Sequence, residues 1–246
     1  MANFVLVHGA WHGAWCWQRV VQALSAQGHR VHAVTLTGLG ERAHLASPAI
    51  TLETHIADVL GVLEAEELSD AVLAVHSYAG MLGTAVADRR GDRLRHLVYV
   101  DAVVPEPGET WGATHAPATR EARIAASQAS ADHTFPPPDP AAFGLEGDDH
   151  AWVARRQVPH PGHTYTAPLH FDPARVGRVP RTFIDCTAPP LATIDVSRRR
   201  VRDPAFWGGH WAGGGGARVA ELATGHDPMV SDPAGLARLL LQAAGA

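Results

Sequence analysis

Ser77 stands in the run Leu73-Ala74-Val75-His76-Ser77-Tyr78-Ala79-Gly80, and His226 in the run Leu222-Ala223-Thr224-Gly225-His226-Asp227. A serine hydroxyl is a poor nucleophile until a histidine takes its proton, and that histidine must be held by a carboxylate. An apolar run enters Ser77 and a helical pattern leaves it. That is the setting of a nucleophile elbow, a sharp turn that lifts the hydroxyl above the edge of a sheet. The turn favours small residues two before and two after the serine. Here those positions hold Val75 and Ala79 rather than the usual glycines. Ala79 is a mild change, whereas Val75 is bulkier and β-branched and predicts a shifted or strained turn. A His-Ser pair at a strand end is, by itself, more often incidental. Other segments add weight. His8-Gly9-Ala10 follows the first apolar run, where a loop supplying an oxyanion hole belongs, and a backbone N–H of that loop with that of Tyr78 suits a developing oxyanion. His226 lies just past the last apolar run, which gives the order serine, acid, histidine.

These groups need a scaffold. Short apolar runs alternate with helical stretches, which predicts a parallel sheet with crossover helices. Strands are expected at 4–7, 29–35, 71–75, 94–100, 182–186 and 219–222. Helices are expected at 15–27, at 51–67 with Thr51 as cap, at 79–89 and at 233–244. From about 105 to 180 the rhythm breaks. Prolines cluster at Pro136-Pro137-Pro138-Asp139-Pro140 and helical pieces shorten, yet Trp111, Phe143, Trp152 and Phe171 remain as apolar anchors. The stretch reads as a cap, 105–180, inserted into a core formed by 1–104 and 181–246. The glycines from 213 to 216 read as a flexible surface turn rather than a phosphate cradle.

Composition narrows the chemistry. The 246 residues include 20 basic residues, every one an arginine, so no mechanism needing a lysine amine is available. The formal charge of −5 lacks the basic excess of a nucleic-acid binder. No nucleic-acid partner is therefore expected. No apolar run reaches membrane-spanning length, and no signal peptide is visible, so a soluble cytoplasmic protein is the default expectation. With 46% hydrophobic and 18% charged residues the chain can bury a substantial core. Cys16 and Cys186 do not make a disulfide framework. The 16 histidines include pairs at 8 and 12 and at 160 and 163. Metal ligation needs three or four convergent ligands, and no His-Glu-x-x-His pattern occurs, so no metal or other cofactor is expected. His8 and His12 read as hydrogen-bonding groups of the oxyanion loop, and His76 as pointing beneath the elbow.

The segment Phe4-Val5-Leu6-Val7-His8-Gly9-Ala10-Trp11-His12-Gly13-Ala14-Trp15 resembles the opening of α/β-hydrolase-fold esterases related to plant methylesterases and hydroxynitrile lyases. A bacterial branch of small esterase-like proteins is more similar still. That similarity runs through Thr35-Leu36-Thr37-Gly38-Leu39-Gly40-Glu41-Arg42, Leu97-Val98-Tyr99-Val100-Asp101-Ala102, Val104-Pro105-Glu106 and the segment around His226. These segments span nearly the whole chain. The resemblance implies an α/β-hydrolase fold, with a mostly parallel, doubly wound sheet and a helical cap. It implies Ser77 as nucleophile, His226 as base, and Ala10 and Tyr78 as backbone oxyanion donors. Plant relatives carry the acid just after a Cys-Thr that ends a late strand. Here Cys186-Thr187 is followed by Ala188-Pro189-Pro190, with no carboxylate. Asp101, at the end of the preceding strand, is the preferred acid, with Asp185 and Asp195 behind it. Asp227 adjoins His226 and reads as structural. The lyases place a threonine where Gly9 stands and a lysine after the catalytic histidine. Both are missing, which argues against lysine-assisted cyanohydrin cleavage.

The reading that follows is a serine hydrolase acting on a carboxylic ester of a medium-sized apolar or aromatic small molecule, as a monomer or homodimer. Gly9, Trp11, His12, Trp111, Trp152 and Tyr165 are the expected substrate-binding residues, with Phe143 as a further lining candidate. A lyase, cyclase or dehydratase using Ser77 and His226 as acid–base groups is the alternative. A silent binding protein on the same fold is the third.

Overall fold

Six apolar runs become six strands of one sheet in the computed structural model, which describes residues 1–211 and 213–245. They are β1 (Asn3–Val7), β2 (Arg30–Val34), β3 (Ala71–His76), β4 (Leu94–Val100), β5 (Arg181–Cys186) and β6 (Ala217–Leu222). The order across the sheet is β6-β5-β4-β3-β1-β2, and every neighbouring pair is parallel. β3 and β5 are buried along their whole length, and β3 accordingly reads as a nearly continuous apolar run without alternation.

The main helices are α1 (Gln18–Ser25), α2 (Leu52–Ala65), α3 (Gly80–Arg90), α4 (Pro117–Ala129), α5 (Gly147–Ala154), α6 (Asp195–Arg202) and α7 (Pro233–Ala244). α1 packs against α7, and α2 against α3. Thr51 caps α2: its hydroxyl accepts from the Thr54 N–H while the Thr54 hydroxyl accepts from the Thr51 N–H. The buried face of α2 is Leu52, Ile56, Val59 and Leu63. Strand order reverses between β1 and β3, and in open parallel sheets a crevice forms at the carboxyl ends of the strands at such a reversal.

Between β4 and β5 the chain forms α4, α5 and two short antiparallel pairs, Glu109–Thr110 with Pro168–Leu169 and Thr134–Phe135 with His160–Pro161. Trp111, Phe135, Phe143 and Tyr165 are buried within it. The glycines at 213–216 form a surface bend in which Gly214 and Gly216 are exposed and Gly213 and Gly215 pack on the chain at Arg178. A Cβ on Gly213 or Gly215 would come within 2.2 and 2.5 Å of main-chain atoms of Arg178, so close backbone packing requires glycine there. Cys16 and Cys186 are buried and unpaired. Among the described residues no helix is long and apolar enough to cross a membrane.

Candidate active site

β3 ends at His76, and Ser77 turns the chain with φ of 55° before α3 begins at Gly80. A left-handed backbone is uncommon for a residue with a Cβ and marks a position held by its surroundings. Asp101 (41°), directly after β4, and Trp11 (64°), in the loop that follows β1, share it. Val75 does not shift the turn. It keeps strand register with Val7 and Tyr99 and is fully buried. Its bulk is absorbed by Gly83, where a Cβ would lie 2.8 Å from a Val75 methyl. Gly80 is equally constrained, since a Cβ there would sit 1.9 Å from the Val103 carbonyl oxygen. Gly9 lies against the elbow, where a Cβ would meet His76 Nδ1 at 2.7 Å and Ser77 Cβ at 2.8 Å.

Above the sheet edge the side chains form a relay. Ser77 Oγ lies 2.9 Å from His226 Nε2, and His226 Nδ1 lies 2.7 Å from Asp101 Oδ2. His226 and Asp101 are buried. In the tautomer this network favours, Nδ1–H donates to the carboxylate and Nε2 accepts from the serine hydroxyl. Neither of the other two acid candidates reaches the ring. Asp185 and Asp195 instead join Asp101 on one guanidinium, that of Arg198, at 2.6, 2.9 and 2.7 Å. Sequence reasoning missed Arg198. It carries no local sequence signature, because its buried partners Asp101 and Asp185 lie on other elements of the chain.

Four histidines fix the surrounding backbone. The Leu36 N–H donates to His8 Nε2 at 3.1 Å, so His8 Nδ1–H donates to the Gly9 carbonyl at 2.7 Å. Burial drives the His8 pKa down to about 3, so the ring is neutral. His12 is different. It donates from Nδ1 to the Ala10 carbonyl at 2.7 Å and from Nε2 to Asp227 Oδ2 at 3.0 Å. Burial works against the His12 cation, but the Asp227 charge and hydrogen bond outweigh it and raise the pKa. Burial likewise pushes the Asp227 carboxyl up, and the His12, His76 and His226 rings bring it down to about 2. His76 donates from Nε2 to the His226 carbonyl at 2.8 Å. His55 holds the Tyr78 hydroxyl at 3.0 Å. The ligand atoms of His76, His226 and Asp227 lie within 4.8 Å of one another, close enough for a cation. Both His226 nitrogens are engaged, however, and His76 Nε2 carries its proton, so the trio reads as a hydrogen-bond network.

A cavity of about 170 Å³ opens over Ser77 and His226. Trp11, Trp111, Phe143, Leu191, Ile194 and Arg123 are among its walls. Phe143 also anchors His226, because its carbonyl accepts from the His226 N–H at 2.9 Å. The sequence expectation that Trp152, Tyr165, His12 and Gly9 line this pocket is not matched by their positions. Trp152 packs edge-on to Trp15 at 5.1 Å, beneath the guanidiniums of Arg19 and Arg156. Tyr165 supports Trp111 from behind, at 4.8 Å. His12 lies beneath the loop that follows β1, on Asp227, and Gly9 lies against the turn at Ser77. Arg123 is a cavity residue that sequence reasoning did not single out, because an arginine on an otherwise unremarkable cap helix carries no motif.

Residues 4–239 match the alpha/beta hydrolase family. The chain belongs to the alpha/beta hydrolase family. Its relatives in that family include the carbendazim hydrolyzing esterase of Nocardioides sp. (strain SG-4G), 41% identical over 98% of both chains. Methylesterase 7 of Arabidopsis thaliana is 27% identical over 98% of this chain and 96% of that protein. An extracellular alpha/beta-hydrolase from a Paenibacillus species has the same fold, with a TM-score of 0.81 at 20% identity over 99% of each chain. Tomato methylketone synthase I superposes with a TM-score of 0.78, also at 20% identity, over 99% of this chain and 98% of that one. This alpha/beta hydrolase is a carboxylic ester hydrolase.

Proposed function

We propose that the enzyme hydrolyses esters of medium-sized apolar or aromatic compounds through Ser77 as nucleophile, His226 as general base and Asp101 as the orienting acid. The observation that carries this reading is the unbroken pair of hydrogen bonds from Ser77 Oγ through His226 to Asp101. Ser77 Oγ attacks the acyl carbon as its proton passes to His226 Nε2, and Asp101 stabilises the imidazolium that forms. The carbonyl oxygen becomes an oxyanion held by the N–H groups of Ala10 and Tyr78. Collapse of the tetrahedral adduct expels the alcohol, which takes the proton from His226. Water then enters, gives its proton to the same nitrogen and releases the acid and free Ser77.

The histidine network supports the oxyanion assignment. His8 pulls the Gly9 carbonyl to one side, and in a trans peptide the following N–H, that of Ala10, points to the other. His12 pins the next carbonyl. The cavity has about the volume of one that binds benzene, and its aromatic walls suit a flat apolar group. Carbendazim, hydrolysed by the Nocardioides relative, belongs in the first substrate panel.

The test is hydrolysis of short-chain and aromatic p-nitrophenyl esters under stopped flow. The proposal predicts a burst of p-nitrophenol equal to the enzyme concentration, followed by slower turnover. Absence of ester cleavage across the panel contradicts it and favours the lyase or cyclase alternative.

A further inference from the structure

The Ser77 cavity contains a guanidinium that no carboxylate answers. Arg123, on α4, lines that cavity together with Ser77 and His226. Among the described residues it forms no ion pair. Nη1 donates to His115 Nε2 at 2.9 Å, and the Tyr165 hydroxyl is a second neutral polar neighbour. His115 donates from Nδ1 to the Trp111 carbonyl at 3.3 Å, so Nε2 is the bare, accepting nitrogen, and the ring is neutral. Burial, with Arg123 beside it, brings the His115 pKa down to about 4. The rest of the guanidinium's surroundings are aromatic, with the rings of Trp11, Trp111, Phe135 and Tyr165 centred 5.1, 5.6, 5.7 and 5.6 Å away. Those faces attract a cation, and the Tyr165 hydroxyl beside it offers a neutral oxygen, but none of these groups carries a counter-charge.

The two buried arginines of the chain find oxygen acceptors. Arg198 holds three carboxylates, and Arg181 donates to the carbonyls of Gly177, Trp207 and Trp211. Even partial removal of a cation from water costs free energy when no counter-charge is near, and half-buried Arg123 is in that condition at the reaction cavity. A planar guanidinium fork matches a carboxylate in geometry and charge.

We infer that Arg123 is a specificity residue, and that the preferred substrates are esters carrying a second, free carboxylate that it binds. The inference rests on the ester-hydrolysis reading of the same cavity. The reacting carbonyl sits at Ser77, the aromatic walls take the body of the substrate, and its carboxylate meets Arg123 at the α4 side. A neutral aromatic ester fits the same walls but leaves the cation unanswered.

Two matched pairs test this: methyl 4-carboxybenzoate against methyl benzoate, and 4-carboxyphenyl acetate against phenyl acetate. The first pair puts the carboxylate on the acyl side and the second on the alcohol side. The wild-type enzyme should favour the charged member of at least one pair by about tenfold to a hundredfold in kcat/KM, the range expected of a charge-assisted hydrogen bond. The preference should reside in KM. Arg123→Gln should abolish it, and Arg123→Lys, which keeps the charge but not the fork, should retain part of it. Calorimetric binding of the same esters to Ser77→Ala protein separates the two claims. If the wild type cleaves none of the esters, the hydrolysis reading fails, yet tighter binding of the charged ester that disappears on adding Arg123→Gln still sustains the role of Arg123. Equal binding and equal turnover of charged and neutral members overturn it, as does a preference that survives Arg123→Gln.

Discussion

At the residue scale the account turns on which carboxylate orients His226. Asp101, Asp185 and Asp195 share Arg198, but only Asp101 also reaches the imidazole. One oxygen of Asp101 faces the guanidinium and the other faces Nδ1. Asp101→Asn puts an amide against that nitrogen and favours the wrong tautomer, so kcat should fall about 10⁴-fold. Asp195→Asn removes a half-exposed partner of the same arginine and should leave kcat within about threefold, because a partly exposed ion pair contributes little. Steady-state kinetics on both variants checks this. Comparable losses in the two variants would assign the effect to Arg198 rather than to the His226 contact. The serine and the histidine were legible because a strand-turn-helix pattern and a strand-end histidine each have a local signature. The acid was legible only as a choice among three, because its position depends on how separate strand ends converge. Arg198 and Arg123 left no local pattern, since each matters through partners distant in the chain.

At the scale of elements, the elbow is set by the packing of α3 on β3. Val75 occupies space that Gly83 leaves empty, and Gly80 lets the helix start against Val103. Gly83→Ala pushes a methyl toward Val75 and should destabilise the protein by about 1–3 kcal/mol, the usual cost of overpacking. Adding Val75→Ala to that variant should recover part of the loss. Urea unfolding of the two single variants and the double variant measures the coupling, and strict additivity would show that the two sites do not touch. α6 is the second determining element. Ser197 accepts from the Val104 N–H at 2.9 Å, and Arg200 reaches the Val104 carbonyl at 2.8 Å and Glu109 at 2.6 Å. With Arg198 it clamps the segment that leaves β4. The central strands were readable from sequence because both their faces are covered and their middles are apolar, as in β3 and β4. The fold of 105–180 was not, because its elements are two to four residues long or are held by ring contacts between distant positions.

At the scale of the molecule, the histidine surplus governs response to acid. Burial lowers the pKa of His8 to about 3, of His55, His96 and His115 to about 4, and of His76 and His160 well below the usual imidazole value. Each is neutral when folded and takes up a proton when unfolded, once the pH falls below about 6.5. The unfolded state then binds more protons, so stability falls as pH drops from about 6.5 towards 4, by up to about 1.4 kcal/mol per pH unit for each such group. His12 runs the other way: its raised pKa gives stability that is complete below about 6.5 and lost as pH climbs through the folded value. Asp227, held near 2, loses its contribution only in stronger acid. Six groups outweigh one, so the thermal midpoint should fall steeply between pH 6.5 and pH 4.5, and a flat profile would contradict the buried neutral network. The central claim, that Ser77 is a nucleophile activated by His226, has a more direct test. The protein is treated with a fluorophosphonate, weighed intact by mass spectrometry and mapped by peptide. The account predicts one adduct per chain, on Ser77, absent from Ser77→Ala and strongly slowed in Asp101→Asn; an unlabelled wild type, or an adduct on another residue, would contradict it.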